Sequence, residues 1–192
     1  YMLHALPLIL EKYPNTKLYV AGNSIVRQKT LKDRLKISSY GKYLLELMKR
    51  YDLMDRVIFM DALNADEMKE RFLKSHLFVC PSVIENSPNS LGEAMLLGVP
   101  CVTADVGGIR SIFTHEKDGL IYPGYGSEAY QEAENKEKAQ AAKLAEAVLA
   151  MWSDEAKMLD YSKEAKKHAL ETHDKDVNYQ TLIQMYQRIA EV

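Results

Sequence analysis

The fold is decided by the stretch VCPSVIENSPNSLGEAMLLGVPCVT, residues 79–103. An apolar run over residues 77–80 predicts a short buried strand, and a polar loop with two prolines follows it. Apolar residues at helical spacing predict a helix that begins near Ser90 and stops at Gly98, and residues 100–103 predict a second strand. Units of this order build parallel sheets, in which ligands bind where strands end and helices begin.

Two glutamates bracket the polar loop. Glu85 follows the first strand and Glu93 lies one turn into the predicted helix, so both carboxylates are expected at the same crevice. Asn89 or Ser90 is the predicted N-cap, and the free N–H groups of the first helical turn form an anion site. A positive helix end beside two carboxylates suits a ligand with a phosphate at one end and hydroxyls at the other, which is the layout of a sugar nucleotide.

A structural interpretation of the same residues is also open. Glu93 would be a first-turn acid that complements the helix dipole, or the far half of a capping box with Ser90, since the two residues fit the Ser-x-x-Glu pattern. Glu85 would then be an ordinary acidic loop residue. The sequence is compatible with both interpretations.

Length and composition favour one α/β domain. A chain of 192 residues can bury one core, and a net charge of -2 provides no basic surface for nucleic acid or for a membrane. Cys80 and Cys101 fall inside predicted strands, where we expect them to pack as small hydrophobic side chains in a reducing compartment. No apolar run has the length of a membrane span, no signal peptide is found, and the histidines and cysteines lack metal-ligand spacing. We therefore expect a cytoplasmic protein.

Predicted helices and strands alternate along the rest of the chain. Strands are predicted over residues 18–21, 56–60 and 120–122, and helices over residues 2–13, 40–51, 66–75, 109–114, 139–152, 154–171 and 175–191. Residues 25–39 are predicted to be a basic surface helix or loop, and residues 123–138 a surface loop.

The sequence around the two glutamates resembles that of a known enzyme family. Pro-Ser precedes Glu85, seven residues separate it from Glu93, Ala-Met follows, and Gly-Val-Pro, a strand and the segment DVGG (residues 105–108) come next. This string resembles the retaining glycosyltransferases of family 4, also called group 1, and the resemblance extends from about Pro7 to the carboxyl terminus. It implies the carboxyl-terminal half of a GT-B fold, a Rossmann-like α/β domain whose parallel sheet carries helices on both faces.

The resemblance also implies roles for individual residues. Glu85 would be the residue of the catalytic centre that contacts hydroxyls of the donor sugar, and Glu93 would bind the ribose. The other donor-binding positions that it implies are Asn86, Ser87, Asn89, Ser90 and Leu91 in the central loop and helix, Gly22 and Asn23 after the first strand, and Asp61 and Ala62 beside the base. Gly22 has the alternative role of only making the turn. The implied donor is a nucleotide diphosphate sugar such as a UDP- or GDP-sugar, and no metal or other cofactor is expected.

Two sites depart from the family's pattern. Asp61 stands near the position where the family usually has a glycine after the strand, which leaves the base unassigned. Arg110 and Ser111 stand where Pro-Glu is usual after the double glycine, and this difference concerns the acceptor side.

The implied reaction is transfer of a sugar from the donor to an acceptor hydroxyl, with retention at the anomeric carbon, as in polysaccharide biosynthesis. Residues 1–172 are expected to bind the donor, and the helix of residues 173–192 to cross toward an absent amino-terminal domain. That domain would bind a glycan, lipid or small-molecule acceptor and could bring peripheral membrane association. The chain begins at Tyr1 within a predicted helix, so we expect a missing first strand upstream and no turnover by this chain alone.

Two other functions are compatible with these residues. A non-catalytic module derived from the GT-B fold would use its aromatic terminal helix to bind a partner. A nucleotide-sugar epimerase of the same fold would bind the same donor, and its products, a free sugar or an epimer, would distinguish it from an enzyme that forms a glycoside.

Overall fold

A computed structural model describes residues 1–22, 24, 38–131 and 135–190. In chain order the helices and strands of these residues are α1 (Met2–Lys12), β1 (Leu18–Val20), α2 (Ser39–Arg50), β2 (Val57–Phe59), α3 (Ala65–Leu73), β3 (Phe78–Cys80), α4 (Asn89–Leu96), β4 (Cys101–Asp105), β5 (Gly119–Pro123), α5 (Glu128–Gln131), α6 (Lys136–Ser153), α7 (Glu155–Thr172) and α8 (Lys175–Ala190), with a 3₁₀ turn at Ile109–Ser111. None of the helices in the described ranges has the length and apolar character that crossing a bilayer requires.

The chain divides into two compact units. The first comprises Tyr1–Lys74 with Gly126–Ala150, and the second comprises Ser75–Tyr125 with Met151–Val192. Each unit contains its own parallel sheet, so the predicted α/β class is confirmed.

The first unit is built on the pair β1 and β2. These strands run parallel, with Leu18 beside Val57 and Val20 beside Phe59. Apolar side chains recur on α1 at helical spacing, and Leu6 packs with Met48 and Leu53 in a core from which water is excluded. This core fixes the carboxyl ends of β1 and β2, where candidate residues of the first unit lie.

The second unit is a three-stranded parallel sheet in the order β3, β4, β5. The central strand β4 is buried along residues 101–104, as expected for a parallel strand covered on both faces. Helix α7 is joined to this sheet by a buried carboxylate, because Asp118 accepts a hydrogen bond from the N–H of Thr114 at 2.7 Å and lies 2.6 Å from Nδ1 of His168. The sheet presents the loop after β3 and the turn after β4 at the same edge.

Two predicted elements need correction. The predicted helix over residues 109–114 is only the 3₁₀ turn, because Ser111 and Ile112 close i→i+3 hydrogen bonds on Gly108 and Ile109. The predicted loop over residues 123–138 contains α5 and the first turn of α6, which begins at Lys136 because Asn135 accepts a hydrogen bond from the N–H of Lys138. The prediction for the basic segment falls largely on residues 25–37, which lie outside the described residues.

Candidate functional site

Glu85 lies in the loop between β3 and α4, with its carboxylate held from two sides. The hydroxyl of Ser82 donates a hydrogen bond to Oε2 at 3.1 Å, and the N–H of Asn86 approaches Oε1 at 3.3 Å. The side chain is half-buried, whereas Asn86 and Ser87 are exposed. A carboxylate that is oriented by neighbours and open to solvent retains acceptor positions for a ligand's hydroxyl groups.

The loop of Glu85 rests directly on the double glycine. A Cβ atom on Gly107 would lie 1.7 Å from the carbonyl oxygen of Glu85, and one on Gly108 would lie 1.9 Å from that of Asn86. The N–H of Gly108 also donates a hydrogen bond to the Glu85 carbonyl at 3.2 Å. Backbone therefore touches backbone here, at a distance that only glycine permits.

Helix α4 begins one residue earlier than the predicted N-cap allows. The N-cap is Pro88, whose carbonyl accepts hydrogen bonds from the N–H groups of Leu91 at 3.0 Å and Gly92 at 3.4 Å. The prediction of Asn89 or Ser90 as N-cap is wrong, because Asn89 is already helical and the carbonyl of the extended residue Pro88 accepts the first helical hydrogen bonds. Within the described residues, the N–H groups of Asn89 and Ser90 have no hydrogen-bond acceptor, and the anion site predicted at this positive end of the helix stays a prediction.

Glu93 is the fifth residue of α4, and its side chain is exposed. Among the described ranges its carboxylate has neither a hydrogen-bond nor an ion-pair partner. The capping box that Ser90 and Glu93 would form is absent, since α4 has no side-chain cap and Ser90 lies inside the helix. A capping box occurs instead at α3, where Asn64 and Glu67 exchange hydrogen bonds of 2.9 and 3.0 Å. The capping-box explanation of Glu93 therefore fails. Its two other predicted roles, as an acid that complements the helix dipole and as a ligand-binding residue, stay predictions.

Arg110 and Asp105 pair across the turn after β4. The guanidinium donates from Nε to Oδ1 at 2.8 Å and from Nη2 to Oδ2 at 2.6 Å. These hydrogen bonds and the charge of Asp105 raise the pKa of Arg110. In the sequence Arg110 stands out only as a departure from the family's pattern, because an aspartate and an arginine five residues apart in a turn follow no recognised spacing.

Gly22, Asp61 and Ala62 belong to the first unit. The N–H of Gly22 donates a hydrogen bond to the Asp61 carbonyl at 2.8 Å, which joins the ends of β1 and β2. Asp61 has a φ of +60°, a left-handed conformation that glycine adopts freely and aspartate tolerates. This conformation explains why the family's pattern usually has glycine here. Asn23 lies outside the described residues.

Metal ligation has no support in the part of the chain that the structure describes. No group of three or more histidine, cysteine, aspartate or glutamate side chains could hold a metal ion there. His168 is engaged by Asp118, and Nδ1 of His115 accepts a hydrogen bond from the N–H of Ile121 at 2.9 Å. These histidines serve the packing of the second unit.

Comparison with known proteins identifies the family. The family model for glycosyl transferases group 1 matches residues 1–168. The chain belongs to this family.

The most informative relatives are longer than this chain. Glycosyltransferase MJ1607 of Methanocaldococcus jannaschii, which is described as uncharacterized, is 32% identical over 124 residues, covering 64% of this chain and 28% of that protein. The putative glycosyltransferase YtcC of Bacillus subtilis is 27% identical over 168 residues, covering 87% of this chain and 36% of that protein. The chain thus spans about a third of the length of these curated relatives.

Solved structures share the fold. Anabaena Alr3699/HepE in complex with UDP superposes with a TM-score of 0.75 at 20% identity, covering 97% of this chain and 44% of that one. This likeness confirms the predicted fold, the Rossmann-like carboxyl-terminal half of a GT-B glycosyltransferase.

Proposed function

We propose that the chain is the donor-binding half of a retaining glycosyltransferase of family 4, which transfers a sugar from a nucleotide diphosphate sugar to an acceptor hydroxyl. The observation that carries the proposal is the unpartnered carboxylate of Glu93 beside the two unclaimed N–H groups that open α4. Because this exposed carboxylate has no partner among the described residues, it is available to a ligand. Its exposure next to an anion site matches the recognition of a ribose and a diphosphate.

The costly step of the proposed reaction is the departure of the nucleoside diphosphate. Negative charge grows on the leaving oxygen as the bond to the anomeric carbon breaks, and preorganised donors stabilise that charge. The N–H groups of Asn89 and Ser90 are such donors, at a helix end that acts as about half a positive charge. Leu91 contributes no N–H, because Pro88 accepts its hydrogen bond.

The two glutamates recognise different parts of the donor. Glu85 accepts hydrogen bonds from hydroxyls of the donor sugar, since Ser82 and Asn86 orient its carboxylate. Glu93 accepts hydrogen bonds from the ribose. We assign Asn86 and Ser87 to the donor sugar, and Gly22, Asn23, Asp61 and Ala62 to the base. The reaction as proposed needs no metal or other cofactor.

A nucleotide-sugar donor is supported by the solved relatives. Structures of Anabaena HepE have been determined in complex with UDP and with UDP-glucose. We place the acceptor, a glycan, lipid or small molecule, on an amino-terminal domain toward which α8 crosses. The enzyme would act in the cytoplasm, in polysaccharide biosynthesis or a related pathway, with peripheral membrane association through the amino-terminal domain.

The proposal is tested by calorimetric titration with UDP, GDP, ADP and dTDP. One nucleotide is expected to bind saturably, and Glu93→Gln is expected to weaken it about tenfold, the value of a charge-assisted hydrogen bond. Glu155→Gln is the matched control, because Glu155 is an exposed glutamate in the first turn of α7. If neither this chain nor a longer natural protein that contains it binds any of the four nucleotides, the proposal is refuted.

One observation favours a second function, that of an interaction module. Helix α8 has no buried residue, and large apolar side chains on it are exposed: Val177, Tyr179, Leu182, Met185, Tyr186 and Ile189. Nucleotide binding that depends on Glu93 would exclude a module whose site has decayed. Formation of a glycoside, and not of a free sugar or an epimer, would exclude an epimerase.

A further inference from the structure

An ion pair closes the turn after β4. Asp105 is the last residue of β4, and Arg110 reaches back to it with two parallel hydrogen bonds of 2.8 and 2.6 Å. Two parallel bonds between a guanidinium and a carboxylate fix direction as well as distance. The pair encloses residues 106–109, which include the double glycine.

Ser111 also stabilises this turn, through two hydrogen bonds to Gly108. Its hydroxyl donates a hydrogen bond to the Gly108 carbonyl at 2.6 Å, and its N–H donates to the same oxygen at 3.0 Å. The N–H of Gly108 in turn donates to the Glu85 carbonyl at 3.2 Å. Gly108 thereby connects the turn to the backbone of Glu85. Because Gly107 is also in close contact with Glu85, a shift of the turn displaces the backbone of Glu85.

We propose that Asp105, Arg110 and Ser111 form a brace that sets the position of Glu85. They are positioning residues: none needs to touch the donor, because each acts on Glu85 through the double glycine. The brace accounts for both residues that replace the family's usual Pro-Glu. It rests on the proposed function only in the role given to Glu85, which is to bind the donor sugar.

The ion pair of Arg110 and Asp105 is exposed to solvent, which limits its contribution to stability. The side chain of Arg110 is 63% exposed and that of Asp105 is 36% exposed, so the pair contributes little to overall stability. Its effect falls on geometry, and a displacement of a recognition group by about 1 Å is costly for a bound sugar. Breaking the brace should therefore impair recognition of the sugar while the protein stays folded.

Ligand affinity gives the first test. We expect Arg110→Gln to weaken UDP-glucose about tenfold in calorimetry and to leave UDP unchanged, because the brace acts on the sugar side. The charge-swapped variant Asp105→Arg/Arg110→Asp is expected to recover part of the loss. Lys143→Gln, which breaks the exposed pair of Lys143 and Glu146 on α6, is the control and should change neither affinity. Equal weakening of UDP and UDP-glucose by Arg110→Gln would overturn the proposal.

Amide exchange gives a second test that needs no ligand. In Arg110→Gln and in Ser111→Ala, the Gly108 amide is expected to exchange about tenfold faster, and the amide resonances of Glu85 and Asn86 to shift. Unchanged exchange at Gly108 would overturn the brace whatever the ligand results are. Failure of the unaltered protein to bind UDP would instead count against the proposed function, and the exchange data would still decide the brace.

Discussion

Gly107 contributes to the site by having no side chain. Its φ of +52° lies in the left-handed region, and its Cα packs against the carbonyl oxygen of Glu85. Side chains elsewhere in the loop can rotate to relieve a clash, but a backbone carbonyl moves only if the loop moves with it. The position of Glu85 thus depends on residue 107 having no Cβ atom.

We predict that Gly107→Ala lowers the free energy of unfolding by about 2–4 kcal/mol, because a Cβ at 1.7 Å from the Glu85 carbonyl forces the loop away. Urea unfolding measures the loss. Gly126→Ala is the control, since Gly126 has a φ of +89° but no described atom lies within 4 Å of its Cβ position. That variant should lose only about 1–2 kcal/mol from backbone strain. Equal losses in the two variants would show that the contact with Glu85 is unimportant.

Helices α4 and α7 meet where α4 has a glycine. A Cβ atom on Gly92 would lie 2.6 Å from Nε2 of His173, the residue that ends α7. The hydroxyl of Ser162 also donates a hydrogen bond to the carbonyl of Gly98, which joins the middle of α7 to the residues that follow α4. Glycine inside α4 is thus a packing requirement, accepted although alanine forms helices better by about 1 kcal/mol.

We predict that the effect of Gly92→Ala changes sign with its neighbour. In the natural chain the substitution should lower the free energy of unfolding by about 1 kcal/mol, because the imidazole of His173 must move. In a His173→Ala background the same substitution should raise it by up to about 1 kcal/mol, since only helix propensity remains. A double-mutant cycle by urea unfolding gives both values. A destabilising effect that persists without His173 would contradict the assigned contact.

Elements were predictable from sequence where one local signal decides them. Apolar runs located β3 and β4. The N-cap of α4 was missed because a proline carbonyl, and not a polar side chain, starts that helix. The pairing of Asp105 with Arg110 and the contact of Gly107 with Glu85 were also missed, because both depend on how a turn folds back on another loop.

Burial links the stability of the second unit to alkaline pH. Cys80 and Cys101 are free, buried thiols, and burial raises the pKa of Cys101 far above its ordinary value. A folded-state pKa above the unfolded value means that the contribution to stability is complete below about pH 8.5 and is lost as pH rises toward the folded value. The unfolded chain then gains free energy from ionising a thiol that the folded chain keeps neutral.

We predict that the free energy of unfolding falls between pH 8.5 and pH 10 by up to about 2 kcal/mol more in the natural chain than in Cys101→Ala. Urea unfolding at several pH values measures the difference, and the comparison cancels groups that titrate in both proteins. Parallel pH profiles of the two proteins would refute this assignment of the alkaline loss to Cys101.

Helix α8 has a consequence for how the whole chain responds to heat. A helix of 16 residues that buries none of its side chains is held mainly by its own backbone hydrogen bonds, with a few more to Asp174 and Thr172 at its amino end, and such helices are marginal in water. We therefore expect α8 to form a separate foldon. The free energy of its local opening should be lower than that of unfolding the sheet of β3, β4 and β5. Warming should melt α8 before the remainder, so that helical content declines ahead of the cooperative transition.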